Sequence, residues 1–100
     1  MSVRKRFCDE TGLTEAQAYT LARWARQAAR ANEAFSNGDP FPGAKSATAT
    51  KSTHSKLWGA EVDRYGGMMS ELVRPFGYIV AFTGLRPCLL KDGRYTEIPD

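Results

Sequence analysis

Tyr78-Ile79-Val80-Ala81-Phe82-Thr83, then Gly84-Leu85-Arg86-Pro87, then Cys88-Leu89-Leu90-Lys91-Asp92-Gly93-Arg94-Tyr95-Thr96-Glu97-Ile98: this closing stretch decides the fold class. Its β-branched and aromatic runs read as strands. Asp92-Gly93 between two of them is a strong hairpin signal, because a type I′ turn needs positive φ at both central positions. Gly84 to Pro87 reads as a turn or bulge. Upstream, over 14–36 and 53–74, apolar residues recur every three to four positions instead. This change of period predicts an α+β fold, with two antiparallel helices packed on a small C-terminal antiparallel β-meander of two to three strands over 78–98. A lone hairpin is marginal in water, so three strands with one face covered by the helices make the sensible core.

The first long helix is expected over 14–36. Thr14 followed by Gln17 forms the Thr-x-x-Gln version of a capping box, and Leu13 can staple onto the first turn. Eight alanines stand between Ala16 and Ala34, and alanine is the best helix former. At 100° per residue, Leu21, Trp24, Ala25, Ala28, Ala31 and Phe35 fall on one side. Asn37-Gly38 stops the helix and Asp39-Pro40 prevents its continuation. A short extra helix over Val3–Glu10, turning at Gly12, precedes it. The second long helix, 53–74, carries the stripe Trp58, Val62, Tyr65, Met69, Leu72 and Phe76. Gly66-Gly67 interrupts it at roughly 1 kcal/mol per glycine relative to alanine, which points either to close approach to the alanine face or to a kink. Pro75 ends this helix. Trp24 and Trp58 are expected to share one core.

Residues 38–52 form the linker. Gly38, Pro40, Pro42 and Gly43 break regular structure, and Ala44 to Thr53 is small and polar. A connection of this length inside a small domain is either functional or disordered.

One hundred residues make one domain by size. Hydrophobic and charged fractions of 42% and 25% are those of an ordinary globular chain. The formal charge of +3 arises from both halves, with no basic tail and no acidic block. Such a balance permits contact with nucleic acid or an acidic partner and excludes neither. Two cysteines, Cys8 and Cys88, have no metal-ligand spacing and are too few for a secreted disulfide framework, so two reduced thiols in the cytoplasm are expected. The basic start around Arg4-Lys5-Arg6 lacks the apolar run of a signal peptide. No stretch approaches the ~20 apolar residues that span a bilayer.

Catalytic chemistry finds little purchase. The single histidine, His54, sits where linker meets helix and reads as an exposed loop residue, since a triad needs three positioned groups. Three Cys and His residues at 8, 54 and 88 make no zinc site. No Gly-x-Gly-x-x-Gly or phosphate-loop pattern occurs, so no cofactor is implied. Glu61 beside Tyr65 is the one candidate acid, set against a structural pairing with Arg64 or an arginine of the first long helix.

The stronger surface signal is a strip on that helix. Tyr19, Arg23, Arg26 and Arg30 lie within about 60° of one another, opposite Leu21, Ala25 and Ala28. Guanidinium forks suit phosphate and carboxylate, because each binds two oxygens at once. Arg4, Lys5 and Arg6 can extend the strip. The alternative is a solvated face, partly compensated by Glu33 three residues after Arg30. Phe41, between Pro40 and Pro42, either pins the linker to the core or offers an exposed aromatic contact.

The end of the chain, from Gly77-Tyr78 through Phe82-Thr83-Gly84-Leu85-Arg86-Pro87 to Tyr95-Thr96-Glu97-Ile98-Pro99, resembles the tails of small uncharacterised proteins carried by phages and prophages. The resemblance covers about a quarter of the chain and brings no catalytic residue with it. It implies an accessory product that acts by binding something of the host. The reading that follows is a non-catalytic protein that works through contact with a protein partner, with a nucleic-acid binder using the arginine strip as the alternative. An enzyme resting on Glu61 and His54 is the third and weakest reading. A homodimer is compatible with aromatics at the edges of the helical stripes.

Overall fold

The fold is α+β: three helices followed by a three-stranded antiparallel sheet. The computed structural model describes residues 2–44 and 50–100. Helix α1 is Val3–Thr11, α2 is Glu15–Asn37 and α3 is Lys51–Val73. A 3₁₀ turn over Arg74–Phe76 leads to β1, Ile79–Thr83, then β2, Arg86–Lys91, and β3, Arg94–Glu97. The sheet order is β1-β2-β3. The part of the linker over 45–49 lies outside the described residues.

The ends of α2 follow from its local chemistry. The Thr14 side chain accepts from the Gln17 N–H at 3.1 Å, and the Gln17 side chain accepts from the Thr14 N–H at 3.0 Å, so two orphan donors are satisfied reciprocally. At the other end Gly38 adopts φ 71° and returns its N–H to the carbonyls of Ala34 and Phe35. Thr50 caps α3 by accepting from the Thr53 N–H, so this helix starts two residues before the expected 53 and takes His54 into its first turns.

The core forms where α2, α3 and β2 meet. Leu21, Met69, Val73 and Leu89 are fully buried, with Phe7 of α1 and Leu13 of the α1–α2 turn sealing one end. Burying each such side chain contributes about 1.5–3 kcal/mol. Ala18, Ala22, Ala25, Ala28, Ala31 and Ala34 are all buried as well. This arc is much wider than the single side that periodicity predicted. The reason is that α2 is central, packing on α3, on β2 and on α1. Phe35, expected on the apolar side, is 46% exposed.

Two other expectations are corrected. Helix α3 runs unbroken through Gly66-Gly67, and these glycines serve no close approach, because a Cβ at either would meet nothing within 4 Å. Trp24 packs against the core, but Trp58 does not join it. It packs edge-on against Phe41 instead, with ring centroids 4.7 Å apart.

The sheet register places Arg86 differently from its expected position in a turn. Thr83 pairs with Arg86 and Phe82 with Pro87, so only Gly84-Leu85 form the turn. Gly84 has φ 67°, which is the demand of a two-residue hairpin with glycine first. Pro87 is tolerated in β2 because β3 pairs only from Cys88 onward, so no β3 partner waits for its missing N–H. Asp92 and Gly93 have φ 52° and 77° and close the second hairpin as expected.

Candidate functional site

The width of the buried arc on α2 defines what is left to solvent. Tyr19, Arg23, Arg26, Arg30 and Glu33 are exposed, and they form the strip opposite the core. From Arg23 to Arg30 it runs about 10 Å along the axis, at 1.5 Å per residue. Among the described residues the one ion pair within 4.0 Å joins Arg64 to Glu61. The strip arginines are therefore held by no carboxylate there, and Glu33 does not compensate Arg30 by direct contact.

The N-terminal basic cluster divides. Arg4 is partly buried, and its guanidinium lies 5.7 Å from the centroid of the Tyr19 ring. This cation–π contact joins α1 to the strip. Lys5 is exposed, and only its backbone N–H is engaged, with the Ser2 side chain that caps α1. Arg6 lines a separate cleft between α1 and β3, with Glu10, Tyr95 and Glu97. Of the three, Arg4 extends the strip by contact.

The strip gains a partner from the sheet. A groove of about 540 Å³ lies between α2 and the β1–β2 turn, lined by Arg26 and Arg30 on one side and by Leu85, Arg86 and Pro87 on the other, with Ile98 beyond. The Asn32 side-chain amide reaches the Leu85 carbonyl at 3.4 Å, long for an N–H···O bond but enough to register the turn against the helix. Arg86 is the residue that periodicity missed. The signal was present: glycine at the head of a two-residue turn makes the residue two positions later the first paired residue of the next strand.

Phe41 is a pin. Its backbone N–H donates to His54 Nδ1 at 2.9 Å, its ring packs on Trp58, and Trp58 Nε1 donates to the Asp39 carbonyl at 3.0 Å. These contacts tie the loop after α2 onto α3. His54 is thus a partly buried acceptor in α3 rather than an exposed loop residue. The same loop roofs a second cleft, of about 510 Å³, walled by Ala31, Ala34, Trp58 and Tyr65.

Glu61 is also engaged. Its carboxylate lies 3.6 Å from Arg64 Nε, while Arg64 Nη2 donates to the Tyr65 hydroxyl at 3.0 Å and its Cζ stands 4.8 Å from that ring's centroid. Among the described residues no group of three His, Cys, Asp or Glu side chains is placed to hold a metal ion, and no helix is long and apolar enough to cross a membrane. No protein-family model, curated protein or solved structure matches this chain.

Proposed function

We propose that this chain is a small non-catalytic binding protein that works in the cytoplasm and recognises nucleic acid through the arginine strip of α2 and the adjoining Arg86. The observation that carries the reading is the groove that Arg26, Arg30 and Arg86 line together, approached from two different elements and free of ion pairs to any described carboxylate. Guanidiniums that are exposed and unpaired on a helix and a strand are free to take up phosphate, two oxygens to each fork. Neutralising phosphates releases condensed counterions, so binding must weaken steeply as salt rises. The non-catalytic part rests on the two candidate groups. His54 spends Nδ1 on a backbone N–H, and Glu61 lies against Arg64. The test is titration of fluorescent oligonucleotides at low and at physiological salt, with the chain and with its Arg23→Ala/Arg26→Ala/Arg30→Ala variant. Salt-sensitive binding that the variant loses supports the reading, and equal binding by both removes it.

A second reading, contact with a protein partner, is favoured by one separate observation. Ile79, Leu90 and Tyr95 are cross-strand neighbours in one row of the sheet, and such neighbours share a face. Their face is opposite that of Leu89, which is buried against the helices. Ile79 is 59% and Tyr95 61% exposed. A phage-borne accessory factor that occupies a host protein's surface would use such a row. If an Ile79→Ser/Tyr95→Ser variant captures the same host proteins as the parent chain, this face is not the contact.

A further inference from the structure

The groove beside the strip is mixed in its chemistry. Arg26, Arg30 and Arg86 supply forked donors. Leu85, 42% exposed, supplies apolar surface beside the buried Pro87 and the half-buried Ile98, which packs against the core. Glu33 and Asp100 line the same groove, and neither side chain forms an ion pair with a described cation.

That combination discriminates between forms of nucleic acid. A duplex presents an almost uniform row of phosphates, and seating it along this groove brings phosphates against Glu33 and Asp100 as well as against the arginines. An unpaired nucleotide presents three surfaces instead: an anionic phosphate, a flat apolar face, and a base edge with both donors and acceptors. The guanidiniums match the phosphate and can also stack on a base. Leu85 matches the flat face. Carboxylates accept hydrogen bonds from exocyclic amino groups of bases, which gives Glu33 and Asp100 a favourable role that a phosphate row denies them.

We infer that this groove takes an unpaired nucleobase together with its adjoining phosphate, so that the chain binds single-stranded nucleic acid in preference to duplex. The inference rests on the nucleic-acid reading above and names its ligand class. DNA and RNA share this chemistry, and the two are separate arms of the test.

The experiment is fluorescence anisotropy of the full chain with a labelled single strand of roughly 12 nucleotides, within the range that single-strand sites occupy. It is run as DNA and as RNA, beside a duplex of equal length, at about 50 mM salt. The expected result is single-strand binding at least about tenfold tighter than duplex binding for one sugar or both. Leu85→Ala is expected to weaken single-strand binding roughly fivefold and leave duplex binding unchanged, because it removes a contact to the base and none to phosphate. The contact of Asn32 with Leu85 uses a backbone carbonyl and survives this substitution, and Leu85→Ser, at the same exposed position, provides a second variant with the same expected effect. Equal affinity for the two forms, or variants that weaken both forms equally, overturns this inference and leaves the broader reading standing. Absence of binding to either form at low salt overturns both. Competition by a glutamate-rich peptide as effective as the single strand reassigns the groove to acidic peptides and overturns it also.

Discussion

The backbone N–H of Phe41 donates to Nδ1 of His54 at 2.9 Å, and this bond fastens the loop after α2 to the first turns of α3. Two neighbours reinforce it, since the Phe41 ring packs on Trp58 and the Trp58 indole N–H reaches the Asp39 carbonyl. Losing the acceptor leaves a partly buried N–H without its partner. His54→Ala is expected to lower the unfolding free energy by about 1 kcal/mol. His54→Asn, whose side-chain oxygen can take the place of Nδ1, recovers most of it. Urea denaturation monitored by tryptophan fluorescence measures both. Equal losses for Ala and Asn would show that the bond contributes nothing.

Thr11 is the buried polar residue at the end of α1. Its hydroxyl donates to the Phe7 carbonyl at 2.8 Å and accepts from the Leu13 N–H at 3.3 Å. Thr11→Val keeps the shape and orphans that N–H in the interior, which costs about 1–3 kcal/mol. Thr11→Ser keeps the hydroxyl and removes one methyl group, worth about 1 kcal/mol. A valine variant as stable as the serine variant in denaturant titration contradicts this account.

Glycines in this chain separate by sign. Gly66 and Gly67 sit inside α3 with open space where a Cβ would stand, so Gly66→Ala/Gly67→Ala is expected to stabilise by about 0.5–1 kcal/mol per site. Gly77 has φ 85°, and a Cβ there would come within 3.2 Å of Lys91 Cε. That lysine is held by the Phe76 carbonyl at 3.1 Å and lies over the Tyr78 ring. Gly77→Ala is therefore expected to destabilise by at least about 1 kcal/mol. Thermal melts of the two variants should move in opposite directions.

What could be read from the residues, and what could not, follows a physical division. Local signals were legible: the Thr14–Gln17 box, the Gly38 stop and the Asp92-Gly93 turn each specify their own geometry, and the structure has all three. The arginine strip was legible as an angular cluster on α2, because helical phase depends on spacing alone. The breadth of alanine burial was not, since it depends on how many elements surround α2. Gly66-Gly67 invited a tertiary explanation that the open space around them does not support. Arg86 was lost because Pro87 suggested a break, whereas the proline stands in a strand at a position that β3 does not reach. The partnership of Arg86 with Arg26 and Arg30 spans some sixty residues of chain, and no local pattern announces it.

Substituting the groove arginines should be nearly silent for folding. Arg26, Arg30 and Arg86 are exposed and form no ion pair with a described carboxylate, and surface changes of this kind usually stay within about 0.5 kcal/mol. Circular dichroism melts of Arg26→Ala/Arg30→Ala/Arg86→Ala are expected to overlay those of the parent chain. A large loss of stability would mean that these side chains support the fold.

The most direct measurement is the salt dependence of binding to a labelled single-stranded oligonucleotide, for the parent chain and for that same triple variant. Each phosphate contact contributes about 0.7 to the slope of log affinity against log salt for a single strand. If the three arginines each neutralise one phosphate, the variant's slope is shallower by roughly 2, and its affinity at low salt falls accordingly. The same slope in both proteins, or no binding by the parent chain at low salt, would contradict the assignment of this face to nucleic acid.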